Sequence, residues 1–328
     1  MADQYDASIT SFNQIYQRAL GAFDVLSLQA SHAKAAYDGL TELASAARPS
    51  VPIPRKCCLV DTLDARIKPC HPAVVAAIVR GGGTTSLVAI MDSFKCCSPD
   101  LSDICVRATD VCCDLLCQLA LPYGGNDPAH DLVNSECADT VAAAGGATAV
   151  VAAMREHSAF DTIAGRGCNA LDNISRKSVQ AATSVVAAGG IVAVAAALRM
   201  HWASVHAPVA RFAVQALTSM LDNVNHYGDI TFIAPRIKEA IDDGCLPVLL
   251  AVLCSRRSDP IHQICVPLIL RFFSESSLEN CAAVVAAGGG EYITDPASAS
   301  GVAVLGSEAG SAGGSCGGPH AHAGPLQA

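Results

Sequence analysis

Across 328 residues the chain sets 30 acidic side chains against 21 basic ones, a net charge of −9, and has no basic block, so a nucleic-acid-binding role has little support. No run of about 18 or more apolar residues occurs, so no membrane span is expected. Hydrophobic residues reach 51% but aromatics only 5%; a core here is built of Ala, Val and Leu, whose modest individual burial must act in numbers.

The chain opens on Asp3, Gln4, Tyr5 and Asp6, not on a basic stretch leading into an apolar run. No secretory signal is therefore expected, and the expected setting is cytoplasmic or nuclear. Residues 7–30 read as an amphipathic helix, because Phe12, Ile15, Tyr16, Ala19, Phe23 and Leu26 share one face. A second helix is expected over 31–46. The run from Arg48 through Pro49, Pro52 and Pro54 to Arg55 then breaks helicity. Residues 1–48 are read as an N-terminal helical cap or docking hairpin, and 49–71 as a connector.

From there a glycine pair recurs: Gly82-Gly83, Gly145-Gly146, Gly189-Gly190, a degenerate Gly244-Cys245, and Gly288-Gly289. The intervals, taken between first members, are 63, 44, 55 and 44 residues. Behind each of the first four pairs the same apolar stripe follows without gaps at i, i+3, i+4 and i+7. It reads Thr84, Leu87, Val88, Met91, then Ala147, Val150, Val151, Met154, then Ile191, Val194, Ala195, Leu198, and then Leu246, Leu249, Leu250, Leu253. Each set makes one face of a helix.

A longer helix comes next, with its stripe at 0, +3, +4, +7, +8 and +11. In the first copy it runs Ala108, Val111, Cys112, Leu115, Leu116, Leu119, and in the third Val209, Phe212, Ala213, Ala216, Leu217, Met220. The fourth fits from Ile261 to Phe272. The second fits from Ile163 to Ile174 except that Arg166 takes an apolar place, which marks the edge of the buried face. A short helix leads into each glycine pair, with Val141, Val185, Ala240 or Val284 four residues before the first glycine. The glycines let the short helix stop in a left-handed residue and the chain turn sharply into the next helix. The longer intervals place extra residues in 121–135 and 222–231, read as loop insertions. After Gly290 the stripe fails, and residues 291–328 read as a disordered Gly/Ala/Ser/His tail.

Repetition at about 40–47 residues marks an α-helical solenoid. The segments VVAAGGIVAVAAALRMH with RFAVQALTSML, and VAAAGGATAVVAAMREH with GCNALDNIS, resemble armadillo repeats. The resemblance covers roughly 72–290. It implies an all-α, right-handed superhelical solenoid of about four armadillo-like three-helix repeats, with the long helices lining a concave groove. It also implies a groove Asn near the end of each long helix that holds the backbone of an extended peptide. Gln118, Asn173, Ser219 and Arg271 occupy that place, and only Asn173 keeps the pattern in full. The Trp that import adaptors carry four residues earlier is replaced by Asp114, Asn169, Gln215 and Pro267, which argues against an import receptor.

The 16 cysteines contain no C-x-x-C, so the usual zinc or redox spacing is absent. Cys112 and Cys265 take stripe places and read as small core hydrophobes, as does Cys168 on its long helix. Cys113 and Cys117, at i and i+4, read as lying off the stripe, where with Cys105 or the Cys96-Cys97 pair they could form a thiolate site. His157 and His201 end successive middle helices, where a helix C-terminus favours them. No phosphate loop, nucleophile elbow or H-E-x-x-H occurs, so no enzyme activity and no cofactor are expected. The leading expectation is a protein–protein interaction scaffold, with Gln118, Asn173, Ser219 and Arg271 in its groove. The alternatives are a metal- or redox-responsive regulator using Cys105 to Cys117, or a non-catalytic subunit of a larger complex docked through 1–48.

Overall fold

The computed structural model describes residues 51–67, 72–94, 102–121, 128–204, 208–227, 230–255 and 259–293, with positions 41, 45 and 50. Nearly all of the 1–48 segment and the tail beyond residue 293 lie outside the described residues. Among those described every regular element is a helix. A leading helix, α1 (Ile53–Ile67), precedes four three-helix units. The units are α2 (Pro72–Arg80), α3 (Gly83–Phe94) and α4 (Ser102–Ala120); α5 (Pro128–Ala143), α6 (Gly146–Glu156) and α7 (Asp161–Arg176); α8 (Val179–Ala187), α9 (Gly190–His201) and α10 (Val209–Tyr227); and α11 (Ile230–Asp242), α12 (Cys245–Ser255) and α13 (Pro260–Ser276). Then come α14 (Leu278–Ala286) and α15 (Gly290–Ile293).

The long helices α4, α7, α10 and α13 stack side by side as a ladder, with α1 packed on α4 at its start. This is the all-α, armadillo-like helical-repeat architecture that the sequence implies. One continuous core runs from Cys57 to Val284. Each unit buries its stripe against its neighbours, so no unit has a closed core of its own.

The glycine turn works at residue level as expected. Gly82, Gly145, Gly189, Gly244 and Gly288 all have φ between 83° and 92°, the left-handed region that L side chains avoid. Gly189 shows both halves of the task. Its N–H donates to Val186 O, closing α8, and its carbonyl accepts from Ala193, opening α9. The axes of the two helices there differ by 69°. The second residue of the pair meets a different constraint. A Cβ on Gly190 would lie 2.5 Å from Val185 Cγ1 and 2.9 Å from the Val185 carbonyl oxygen. Gly146 faces Val141, and Gly289 faces Val284, in the same way. In the fourth unit Cys245 replaces that glycine, and Ala240 replaces the valine; both are buried. The larger residue on one side is thus matched by a smaller one on the other.

Two expectations are corrected. Residues 49–71 are not all connector, since 53–67 form α1, whose Cys57 and Val60 are buried. Proline is tolerated in a first helical turn, where its missing N–H has no partner to lose, so Pro54 starts this helix and does not break it. The described residues of the insertions at 121–135 and 222–231 are also nearly all helical. They lengthen α5 to 16 residues and α11 to 13, against 9 in α8, and carry α10 on to Tyr227. Among the described residues no single helix is long and apolar enough to cross a membrane.

Candidate functional site

Along the ladder, α7 presents half-buried Arg166, Asn169 and Asn173 between fully buried neighbours, and α10 presents Arg211, Gln215 and Ser219. Steps of three to four residues keep these side chains on one helix face. On α4 the same face carries Asp110, Asp114 and Gln118. Arg166 closes the gap between two rungs, with Nε 3.0 Å from Asp110 and Nη1 3.3 Å from Asp114. Its place at the edge of the buried stripe is therefore explained by an ion pair to the preceding unit. Next to it, Gly167 leaves the room that the Met154 side chain fills.

All four candidate groove residues lie on the ladder, and each is engaged within the chain. Gln118 Nε2 donates to Asp114 Oδ2 (3.2 Å). Asn173 Nδ2 donates to Cys117 O (3.2 Å) and Cys117 Sγ (3.0 Å), on the preceding rung. Ser219 Oγ donates to Asp172 Oδ1. Arg271 Nε lies 2.7 Å from Glu275 Oε1, one turn on in α13. The Asn173 amide nitrogen therefore ties α7 to α4.

The sequence missed three neighbours that matter. Asn223 Nδ2 donates to Ser175 O (2.9 Å), linking α10 to α7 as Asn173 links α7 to α4. It stands one residue before buried Val224, which is the groove-Asn pattern displaced by one turn. The signal was present, but ungapped alignment cannot see that α10 is longer than α7. The other two are Asp172 and Arg176. Asp172 is 1% exposed, pairs with Arg176 and accepts from Ser219. The Asp172 carboxylate, which bonds to the guanidinium, raises the pKa of Arg176. Asp172→Ala is expected to destabilise the fold by somewhat less than the roughly 3–5 kcal/mol of a fully buried pair, because Arg176 keeps 29% exposure. Chemical denaturation of Asp172→Ala, Arg176→Met and the double variant checks this: the double should be the more stable of the two that lack Asp172.

The thiols depart from expectation. Cys113 and Cys117 do not lie off the buried face; both are buried, because α4 is packed between α1 and α7. Burial pushes the Cys113 thiol up to about 12, and Cys117 higher still. That is opposite to the lowered pKa that reactive redox thiols need. Among the described residues no three metal-ligating side chains converge; Cys96 and Cys97 lie outside them. His201 Nε2 is 2.7 Å from Ser158 O, and the His157 ring packs edge-on against Phe160, so the two histidines hold local structure.

No family model matches the chain, and no curated protein matches it significantly. Among solved structures it is similar to two engineered proteins determined by a structural genomics consortium. One is 21% identical with a TM-score of 0.53, over 87% of this chain and 59% of that one. The other is 20% identical with a TM-score of 0.47, over 76% and 92%. A designed armadillo repeat protein is 15% identical with a TM-score of 0.48, over 75% and 93%. These likenesses concern the fold alone.

Proposed function

We propose that the chain is a non-catalytic protein-interaction scaffold that holds a segment of a partner along the face of its stacked long helices, in the cytoplasm or nucleus. The observation that supports this reading is the row of half-exposed polar side chains that passes from α4 through α7 to α10 while the residues between are buried. Repeat arrays offer such extended faces because each unit adds one more rung. Along this face Asp110 and Asp114 are matched by Arg166, which pairs with both, and by Arg211. The face therefore suits an extended segment of mixed polarity and not a run of lysines. Because the Asn173 amide nitrogen is committed to Cys117, Gln215 is the better-placed donor for a bound backbone.

A photo-crosslinking amino acid in place of Gln215, with the same replacement at exposed Cys254 as control, tests this in the native source. A partner crosslinked from 215, and no longer crosslinked from 215 once Gln118→Ala and Arg271→Ala are added, is the expected result. A partner captured equally from both positions, or retained by the variant, would move binding off the ladder.

A further inference from the structure

Along the long helices the buried and half-buried charges answer one another. Among the described residues Arg166 pairs with Asp110 and Asp114, Arg176 with Asp172, and Arg271 with Glu275. Asp161 accepts from Ser204, and Asp222 is likewise engaged. Arg211 is the exception. It is half-buried on α10 and makes no hydrogen bond or ion pair among the described residues. Gln215, one turn on and on the same face, is also half-buried and without a partner there.

The register of the rungs explains the exception. Asp110 stands two residues after Ala108, the first stripe residue of α4. It meets Arg166, three residues after Ile163, the first of α7, at 3.0 Å. Arg211 takes the Asp110 place on α10, two residues after Val209. The Arg166 place on the following rung, three residues after Ile261, holds half-buried Ile264, which cannot take a charge. On the preceding rung Gly165 stands at the Arg211 place and offers no side chain. The guanidinium has therefore lost part of its water without gaining a partner, and an incoming carboxylate is the group that satisfies it best.

We propose that Arg211 selects a partner segment that carries an Asp or Glu, whose carboxylate takes two guanidinium donors while Gln215 holds the neighbouring backbone. This rests on the ladder reading above and adds the residue that the bound segment must contain. A phosphate fits less well, because phosphorylated segments are held by clusters of Arg. Arg166, on the adjacent rung, is committed to Asp110 and Asp114.

Packed helices lie about 8–10 Å apart, or about three extended residues, so a displayed library of random peptides of about 12 residues spans the four rungs. Peptides selected on the full chain should share one acidic position. In a synthetic peptide from that set, replacing the acid by its amide should weaken binding at least about fivefold. Arg211→Gln should erase the difference between the two peptides, and Arg211→Glu should favour Lys at that position. Arg211→Gln should leave the melting temperature unchanged, since no contact within the chain is lost, so a loss of discrimination is not a loss of fold. Peptides with no shared acidic position, or an acid preference that persists in Arg211→Gln, overturn the proposal. If those peptides are still weakened by Gln118→Ala with Arg271→Ala, the ladder reading stands without it. No selected peptide, or none weakened by those two changes, overturns both. A dimer of the chain that dissociates in Arg211→Glu also overturns the proposal, giving the place to a carboxylate of a second copy.

Discussion

Gly190→Ala is expected to destabilise the array by about 3 kcal/mol, the upper part of the range for overpacked sites. The added methyl group would meet Val185 Cγ1 at 2.5 Å, the Val185 carbonyl oxygen at 2.9 Å and Met220 Sδ at 3.1 Å. The methionine can swing aside, but a β-branched valine and a backbone oxygen cannot. Alanine's better helix propensity, worth about 1 kcal/mol over glycine, offsets only part of the clash. The fourth unit shows the remedy, since Ala240 and Cys245 stand where Val185 and Gly190 stand. Adding Val185→Ala to Gly190→Ala should therefore recover part of the loss, even though Val185→Ala alone removes buried methyl groups. Urea midpoints of the two single variants and the pair make the comparison. A single Gly190→Ala chain as stable as the parent would sink the argument.

The second large effect is alkaline. Seven buried thiols, those of Cys112, Cys113, Cys117, Cys137, Cys168, Cys245 and Cys265, are all raised above a cysteine's ordinary value, each chiefly by desolvation. Cys137 and Cys245 are pushed up to about 12 and Cys265 to about 11. An unfolded chain releases these protons near pH 9, while the folded chain keeps them. The folded state then binds more protons, so stability is full below pH 9 and falls as pH rises towards the folded values. Each thiol contributes about 1.4 kcal/mol per pH unit in that window. All seven act in the same direction, so the loss of stability is steep. Thermal melts from pH 8 to 11 should show a steep fall beginning near pH 9. A Cys113→Ala, Cys168→Ala and Cys265→Ala variant should fall less steeply. A flat profile to pH 10 would refute the account.

The fold was legible because its signals are local and repeated. Four gapless stripes and five left-handed glycines each report on a handful of adjacent residues, and repetition multiplies them. What escaped depends on contacts between units. Pro54 reads as a breaker until α4 is there to receive Cys57 and Val60. Cys113 and Cys117 read as outward until α1 and α7 close on both sides of α4. The groove residues were placed on the right helices, but periodicity does not show that the Asn173 amide nitrogen is already bound to Cys117. The role of Asn223 was hidden by one extra helical turn, and the Asp172–Arg176 pair by the absence of any motif for a buried ion pair.

The exchange of Val185 and Gly190 for Ala240 and Cys245 also constrains how such a chain can be shuffled. The two members of each pair sit on opposite sides of the glycine turn, five residues apart, and function as one inherited block. A recombination crossover inside the turn would join a valine from one unit to a cysteine from another and create a clash that neither parent had. Crossovers in the segments after the long helices, such as 121–127 or 228–229, leave every block whole. Functional chimaeras of this array are therefore expected to carry their junctions there, and libraries cut at the glycines to fold poorly.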